Sequence, residues 1–487
     1  MIGASDTGDA RGKQVAVIGA GITGLAAAQR LITQDKTVRV AVFEAAEQPG
    51  GLFRTEQIDG FLAEMGPDAF ITNKPGAIDL CREIGFLDEL VTTDETYRRS
   101  LVLRNGRPLP VPDGFMLMAP AKPAAIMATK ILSLAGKMRL LKEAVIPRKT
   151  DDEDETLASF VIRRFGRETL DRLVQPLVGG IYTSDPQKLS LKATLPRFPE
   201  MERSHGSVIR GTLAQQKKQR NDASETSGSG ARYGLFMTPQ RGLRSLSESL
   251  IQFLNDSGRV TFHCSSPVAK LRKSGNVDSE RWQVSVSDQT FQFDDVICCL
   301  AAYKNAEILT DPSNPPLSDL CERLRQIEYA SSAIVVSGHR LTDFSHPMDA
   351  FGLVVPHIEK RNVLAISFTS RKFPGRAPEG HILLRTFVGG AMQPELLGKS
   401  DDELTHMVNR ELTDILGMKC DPIFTRVARY TNAMPQYHVG HLERVDQIER
   451  LVDQHAGLFL AGNAYRGVGI PDSISSGRLA ADRCLDS

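Results

Sequence analysis

Three glycines in the run GAGITG, residues 19–24, stand at the spacing G-x-G-x-x-G. Each position answers a need of phosphate binding. Gly19 permits a tight turn, Gly21 lets backbone approach a pyrophosphate, and Gly24 lets a helix pack closely on a strand. A helix that opens there turns unpaired N–H groups and a partial positive charge toward the phosphates. Glu44 comes twenty residues after Gly24, where an acid accepts hydrogen bonds from a ribose diol. Gly19, Ala20, Gly21, Ile22, Thr23, Gly24 and Glu44 are therefore candidate contacts to a dinucleotide, NAD or FAD.

Two further glycine groups extend this chemistry. Gly50, Gly51 and Arg54 follow soon after Glu44 and permit a second close approach to an anionic group. Near the other end of the chain, residues 458–463 (LFLAGN) read as an apolar strand ending at Gly462. GVGIPD at 467–472 follows, and residues 473–484 read as a helix. That helix start offers N–H groups to negative charge developing on a reduced ring. His438 and His441 stand three apart, without a third ligand at a metal-binding spacing, so no metal is expected. The cysteines number 7 and include no C-x-x-C pair. Cys298 and Cys299 lie in an apolar run, as reduced core thiols do.

The elements that carry these residues begin with a βαβ pattern. Residues 14–18 (QVAVI) read as a strand, 22–34 as a helix and 38–44 as an alternating second strand. Residues 111–146 are rich in Ala, Leu, Met, Ile and Lys and read as helical walls. An acidic run at 151–155 precedes a helix over 157–165. The polar stretch 215–231 reads as a flexible loop. An amphipathic helix is expected over 242–254. Strands are expected over 282–287, 291–300, 332–337 and 382–388. A length of 487 residues leaves room for about three units. Lys plus Arg total 59 and Asp plus Glu total 59, a balance with no pull toward nucleic acid. No signal peptide and no 18-residue apolar run is evident, and a cytoplasmic protein is expected.

GGLFRT at 50–55 resembles the GG-x-x-R-T element of flavin oxidases in the amine-oxidase superfamily, whose Arg lies beside the cofactor phosphates. Longer runs narrow the likeness. VAVIGAGITGLAAA at 15–28, AEMGPDAF at 63–70, the stretch 160–198, NAMPQYHVGH at 432–441 and AGNAYRGVGIPDSISSGRLAA at 461–481 together resemble the oxygen-dependent protoporphyrinogen and coproporphyrinogen III oxidases. The likeness spans about residues 13–484 and looks most like the soluble bacterial type. It implies an α/β fold with a discontinuous, Rossmann-like FAD-binding domain of the glutathione-reductase type, over 13–75, 232–310 and 435–487. A helical subdomain over 96–214 and an α+β substrate domain over 311–434 complete it.

The resemblance implies FAD contacts at Gly19 through Gly24, Glu44, Ala45, Gly51 and Arg54. It adds Gly66, Pro67, Asp68, Val268, Gly462, Val468, Gly469 and Ile470. Tyr430 is a further implied FAD contact, at a position where relatives often carry a Trp near the cofactor. The implied reaction takes a porphyrinogen to a porphyrin in haem biosynthesis. It removes six electrons in three steps, each passing a hydride to the flavin, with oxygen reduced to hydrogen peroxide. Lys74, Arg98 and Arg99 are the cations implied for the substrate's propionates, and His438 is a candidate proton-transfer group. Transfer of product to ferrochelatase and peripheral contact with the inner face of a membrane are further expectations. The competing readings are a flavin amine oxidase or carotenoid desaturase-like enzyme, and a non-catalytic FAD-binding protein. No Cys stands near 461–470 for covalent flavin attachment.

Overall fold

A computed structural model describes residues 12–225, 235–273, 281–310 and 315–487. β1 (Gln14–Ile18) is apolar and buried from Val15 onward, as a strand covered on both faces must be. It feeds α1 (Ile22–Gln34) and then β2 (Arg39–Phe43), which lies parallel to β1 with Ile18 opposite Phe43. Three later strands complete this parallel sheet. Val260–His263 pairs with β2, Asp295–Cys298 with β1, and Leu458–Leu460 with Asp295–Cys298. One sheet thus gathers strands from the start, middle and end of the chain. The C-terminal helix, Ile470–Asp486, packs on α1. Contact is at backbone distance: a Cβ at Gly477 would stand 2.2 Å from the Thr23 carbonyl oxygen.

The strand expected over 291–300 is two strands in two sheets. Gln289–Phe293 closes a three-stranded antiparallel sheet with Trp282–Val286 and Val268–Lys273, and Asp295–Cys298 enters the parallel sheet. Asp294 makes the corner. Its carboxylate accepts from the Gln14 N–H at 2.7 Å, and its own N–H donates to the Gln14 carbonyl at 2.9 Å. Gln289–Phe293 buries one face and Asp295–Cys298 is buried throughout, yet Phe291, Phe293 and Val296 follow one another closely enough to read as a single strand.

A second, seven-stranded sheet runs in the order Phe424–Pro435, Tyr329–Arg340, His381–Gly389, Ala365–Phe368, Gly352–Val354, Ser100–Arg104, Arg107–Pro110. The helix Asp401–Leu416 covers one face through Leu404, Met407, Val408 and Leu412. The hairpin at 100–110 therefore belongs to this sheet, not to the helical unit expected from residue 96. Its consecutive buried residues Leu101, Val102 and Leu103 mark a strand covered on both sides.

The helical unit includes Leu157–Phe165, Gln175–Tyr182, Arg197–His205 and Val208–Glu225. At its centre the guanidinium of Arg164 and the carboxylate of Glu143 pair, both fully buried. That carboxylate also accepts from the Ser207 hydroxyl at 2.6 Å and the Val208 N–H at 2.8 Å, which anchors the last helix at its start. The expected flexible loop is corrected over 215–225, where this helix continues to Glu225. Gln, Lys, Arg and Ala are good helix formers, and a helix nucleated in the core propagates through them. The remainder, 226–231, lies outside the described residues. Residues 111–146 are less helical than expected: Pro123–Ala128, Leu134–Leu141 and a 3₁₀ turn at Lys142–Val145 are joined by irregular segments.

Candidate functional site

The tips of β1 and β2 and the start of α1 form the candidate nucleotide cradle. Gly19 has φ +99°, the left-handed region glycine favours. A Cβ at Gly24 would lie 2.0 Å from the Gly19 carbonyl oxygen, the close packing of helix on turn read from the motif. A Cβ at Gly21 meets nothing within 4 Å. Open space thus faces the N-terminal end of α1, where a pyrophosphate needs it, and no capping side chain occupies the N–H groups. Glu44 accepts from the Ala20 N–H at 2.8 Å and the Ala46 N–H at 2.9 Å, which fixes its carboxylate beside the turn. A carboxylate has about four acceptor sites, so two remain for a diol.

Ala45 is exposed next to Glu44. The segment leading to Val268 is tied to the same place, since the Ser266 N–H donates to the Glu44 carbonyl at 2.8 Å. Gly51 has φ +60° and lies on Gly21, with 2.9 Å between its ideal Cβ and Gly21 Cα. Arg54 is 63% exposed, with Glu56 3.8 Å from its guanidinium.

A glycine strip carries this surface onward. A Cβ at Gly66 would stand 2.0 Å from the Leu52 carbonyl oxygen, so Gly66 lies directly beside Leu52. The seven-stranded sheet grips that segment. The Tyr430 hydroxyl donates to the Met65 carbonyl, and Arg385 donates to the Gly66 carbonyl. Asp68 lies 3.2 Å from Lys372 Nζ and 3.2 Å from Arg385 Nη1. Burial alone would raise the Asp68 carboxyl, but Lys372 and Arg385 outweigh it and bring it down to about 2. Sequence reasoning missed Arg385 and Lys372. One signal was present: a single cation inside the apolar strand run ILLRTFV.

The C-terminal turn closes the site from the other side. The Gly462 N–H donates to Ser476 Oγ at 3.0 Å. The Tyr437 hydroxyl donates to the Asn463 carbonyl at 2.7 Å and accepts from the Gly467 N–H at 2.8 Å, clamping both ends of the turn. Val468 packs on the apolar core of the helical unit. Gly469 and Ile470 start the C-terminal helix, with Pro471 in its first turn, where a missing N–H costs nothing. Tyr437 stacks on His441 at 3.8 Å, and His441 Nε2–H donates to the Tyr465 carbonyl at 2.8 Å.

The remaining expected residues fall at different places. His438 follows Tyr437 and points the other way, into a cleft of about 480 Å³ that it shares with Glu328, Lys188 and Arg429; Glu328 lies 3.5 Å from its Nδ1. Lys74 is held by Asp472 at 2.6 Å, at the start of the C-terminal helix. Arg99 pairs with Asp349, and Arg98 is exposed. Pro67 is half-buried beside Gly66.

Comparison with known proteins agrees with this cradle. The flavin containing amine oxidoreductase family matches residues 22–485. The chain is 32% identical to a coproporphyrinogen III oxidase of Staphylococcus aureus, over 97% of this chain and 99% of the relative. It is 28% identical to the chloroplastic and mitochondrial protoporphyrinogen oxidase 2 of Arabidopsis thaliana, over 97% of this chain and 93% of the relative. A solved structure from Exiguobacterium sp. 255-15, provisionally assigned as a protoporphyrinogen oxidase, superposes with TM-score 0.84 at 27% identity over 100% of both chains. Reduced UDP-galactopyranose mutase superposes with TM-score 0.69 at 17% identity over 97% of this chain and 96% of that chain, a likeness of fold. The cofactor that fits a glycine cradle joined to a second glycine strip and a C-terminal turn is FAD. The protein is an oxidoreductase, and the chain belongs to the flavin containing amine oxidoreductase family.

Proposed function

We propose that this protein oxidises a porphyrinogen to a porphyrin in haem biosynthesis, and that coproporphyrinogen III is its substrate. The observation that carries the reading is similarity to coproporphyrinogen III oxidases from end to end, over 97% of this chain and 99% of the Staphylococcus aureus protein. Bound FAD supplies a two-electron acceptor that oxygen can restore. Three such steps remove the six electrons and release three molecules of hydrogen peroxide. The chain's own residues bind and orient. The open face of Gly21 and the N-terminal end of α1 take the pyrophosphate, and Glu44 takes the ribose. Residues 66–68 and the C-terminal turn hold the ring.

Arg99 and Lys74 are committed to Asp349 and Asp472, which leaves Arg98 as the cation among the three to meet a propionate. His438 serves as a proton carrier only if substrate reaches its cleft. Delivery of the porphyrin product to ferrochelatase belongs to the same reading.

The test is turnover of coproporphyrinogen III and protoporphyrinogen IX side by side, read by porphyrin fluorescence and oxygen uptake. Faster oxidation of the first supports the proposal. Oxidation of neither, or ammonia release from amines, sinks it.

We also propose a cytoplasmic location with peripheral contact at a membrane face. Among the described residues, no helix is long and apolar enough to cross a membrane. Met127, Leu134, Met138 and Val145 are 43, 69, 57 and 69% exposed on one part of the helical unit. Lys130 and Lys142 are exposed among them. Apolar side chains rimmed by lysine suit the interface of an anionic bilayer.

A further inference from the structure

Residues 66–68 are held from a distance in sequence. Arg385, in the strand His381–Gly389, is 2% exposed and spends its guanidinium on two groups of that segment, the Gly66 carbonyl and the Asp68 carboxylate. Its Nε is buried with no hydrogen-bond partner in the protein. Lys372 approaches the same Asp68 oxygen at 3.2 Å. Two other charges complete the cluster: Arg376 acts on both Asp68 and Glu64, and Glu64 also feels Arg385. Arg376 is held by the Pro239 carbonyl at 2.8 Å and Glu64 by the Leu243 N–H at 2.7 Å. Three cations face two carboxylates, so the cluster carries an excess of one positive charge when all are ionised. It reaches the glycine strip at Gly66, whose carbonyl Arg385 holds and which lies against the Leu52 carbonyl. In a site of low dielectric, a fixed charge acts on neighbouring charge far more strongly than in water.

We propose that Arg385 is a positioning residue for the flavin: it fixes residues 66–68 as a wall of the cofactor seat and, with Asp68 as its counter-charge, sets the electrostatic potential there. This rests on the flavin being seated against residues 66–68 and does not depend on which porphyrinogen is oxidised. A net positive wall stabilises the reduced, more negative state of the ring. Removing Arg385 and removing the Asp68 charge therefore act in opposite directions.

The experiment measures the flavin midpoint potential of purified holoprotein against reference dyes for wild type, Arg385→Met and Asp68→Asn. Flavin affinity and amide hydrogen exchange over residues 64–72 are followed in parallel. Arg385→Met is expected to lower the potential and Asp68→Asn to raise it. Arg385→Lys keeps the charge but not the planar fork. It should hold the potential near wild type while flavin dissociates about ten-fold more readily and exchange over 64–72 speeds up. Shifts of the same sign in Arg385→Met and Asp68→Asn, or no shift in either, overturn the proposal. Where Arg385→Met does not fold, the absence of a rise in Asp68→Asn overturns it alone. Porphyrinogen turnover of wild type is assayed separately. Failure there removes the proposed substrate and leaves this inference standing, whereas wild type that binds no flavin removes both.

Discussion

Gly51 rests on Gly21: the ideal Cβ of the first would stand 2.9 Å from the Cα of the second. Two glycine turns from different loops are thus stacked backbone on backbone. The other side of Gly21 is open, with nothing within 4 Å of an added Cβ. This asymmetry separates folding from cofactor binding within one motif.

Gly21→Val should fold with a melting temperature close to wild type, because the new side chain enters free space and φ is −71°. It should purify without yellow colour, since that space is the one proposed for the pyrophosphate. Gly24→Ala should instead lose stability, by about 3 kcal/mol or more, because its Cβ lands 2.0 Å from the Gly19 carbonyl oxygen and backbone must move. Flavin absorbance per protein and thermal melts distinguish the two. A yellow Gly21→Val protein contradicts the cradle.

Tyr437→Phe removes one hydroxyl and unpairs two backbone groups at once, the Asn463 carbonyl and the Gly467 N–H. The ring and its stack on His441 stay. A cost of about 1–3 kcal/mol follows for the buried groups left unsatisfied. Denaturant titration reads that cost, and loosened flavin binding should accompany it, because residues 463–467 lead into the C-terminal helix. A variant as stable as wild type, with unaltered flavin affinity, would remove the clamp from the description.

Buried histidines set the acid limb of stability. Burial pushes His441 down from 6.5 to about 4, against the Tyr465 carbonyl, which favours its protonated form. Burial likewise pushes His339 down to about 4, with Asp343 opposing it. Each folded value lies below the unfolded one, so the unfolded chain binds the proton first. Stability is complete above about pH 6.5 and falls as pH drops toward 4. At about 1.4 kcal/mol per pH unit, each histidine withdraws about 3 kcal/mol by pH 4. Asp68 adds a loss at lower pH, as its folded value of about 2 is approached from the ordinary 3.8. Urea melts between pH 7.5 and 4.5 should show the decline, and His441→Gln should flatten it. An equal slope in that variant would exclude His441 as a source.

Local geometry was legible in the sequence; long-range grips were not. β1, α1 and Leu157–Phe165 stand where periodicity places them, because each is a short element with one clear pattern and a glycine or polar boundary. Residues 458–460 and the helix after them were legible for the same reason. Arg385 and Lys372 were not, since their partner Asp68 lies about 300 residues away and a cation's place in the chain gives no hint of whom it meets. The switch of sheets at Asp294 was hidden because the apolar Phe291 and Phe293 before it and Val296–Cys298 after it read as one run. The helix through 215–225 was hidden by polarity, which describes a solvated helix as well as a loop. Lys74 and Arg99 show a further limit. Charge is visible in sequence, but its neutralisation by Asp472 and Asp349 depends on the fold.

The exposed apolar side chains of the helical unit give a test of membrane contact that leaves the flavin site alone. Leu134 and Met138 are one helical turn apart in Leu134–Leu141, so they present one face, and Val145 extends it. Burying a leucine or methionine side chain is worth about 1.5–3 kcal/mol. Replacing both by serine should therefore weaken partition onto anionic phosphatidylglycerol vesicles by at least about 100-fold. Lys142→Glu should weaken it further, and that effect should shrink in high salt as screening grows. Flotation with the vesicles measures the partition, and flavin content and porphyrinogen turnover without lipid should match wild type. Equal flotation of wild type and Leu134→Ser/Met138→Ser would mean that these side chains do not meet the bilayer. The face would then be exposed for another reason, and the membrane proposal would lose its structural support.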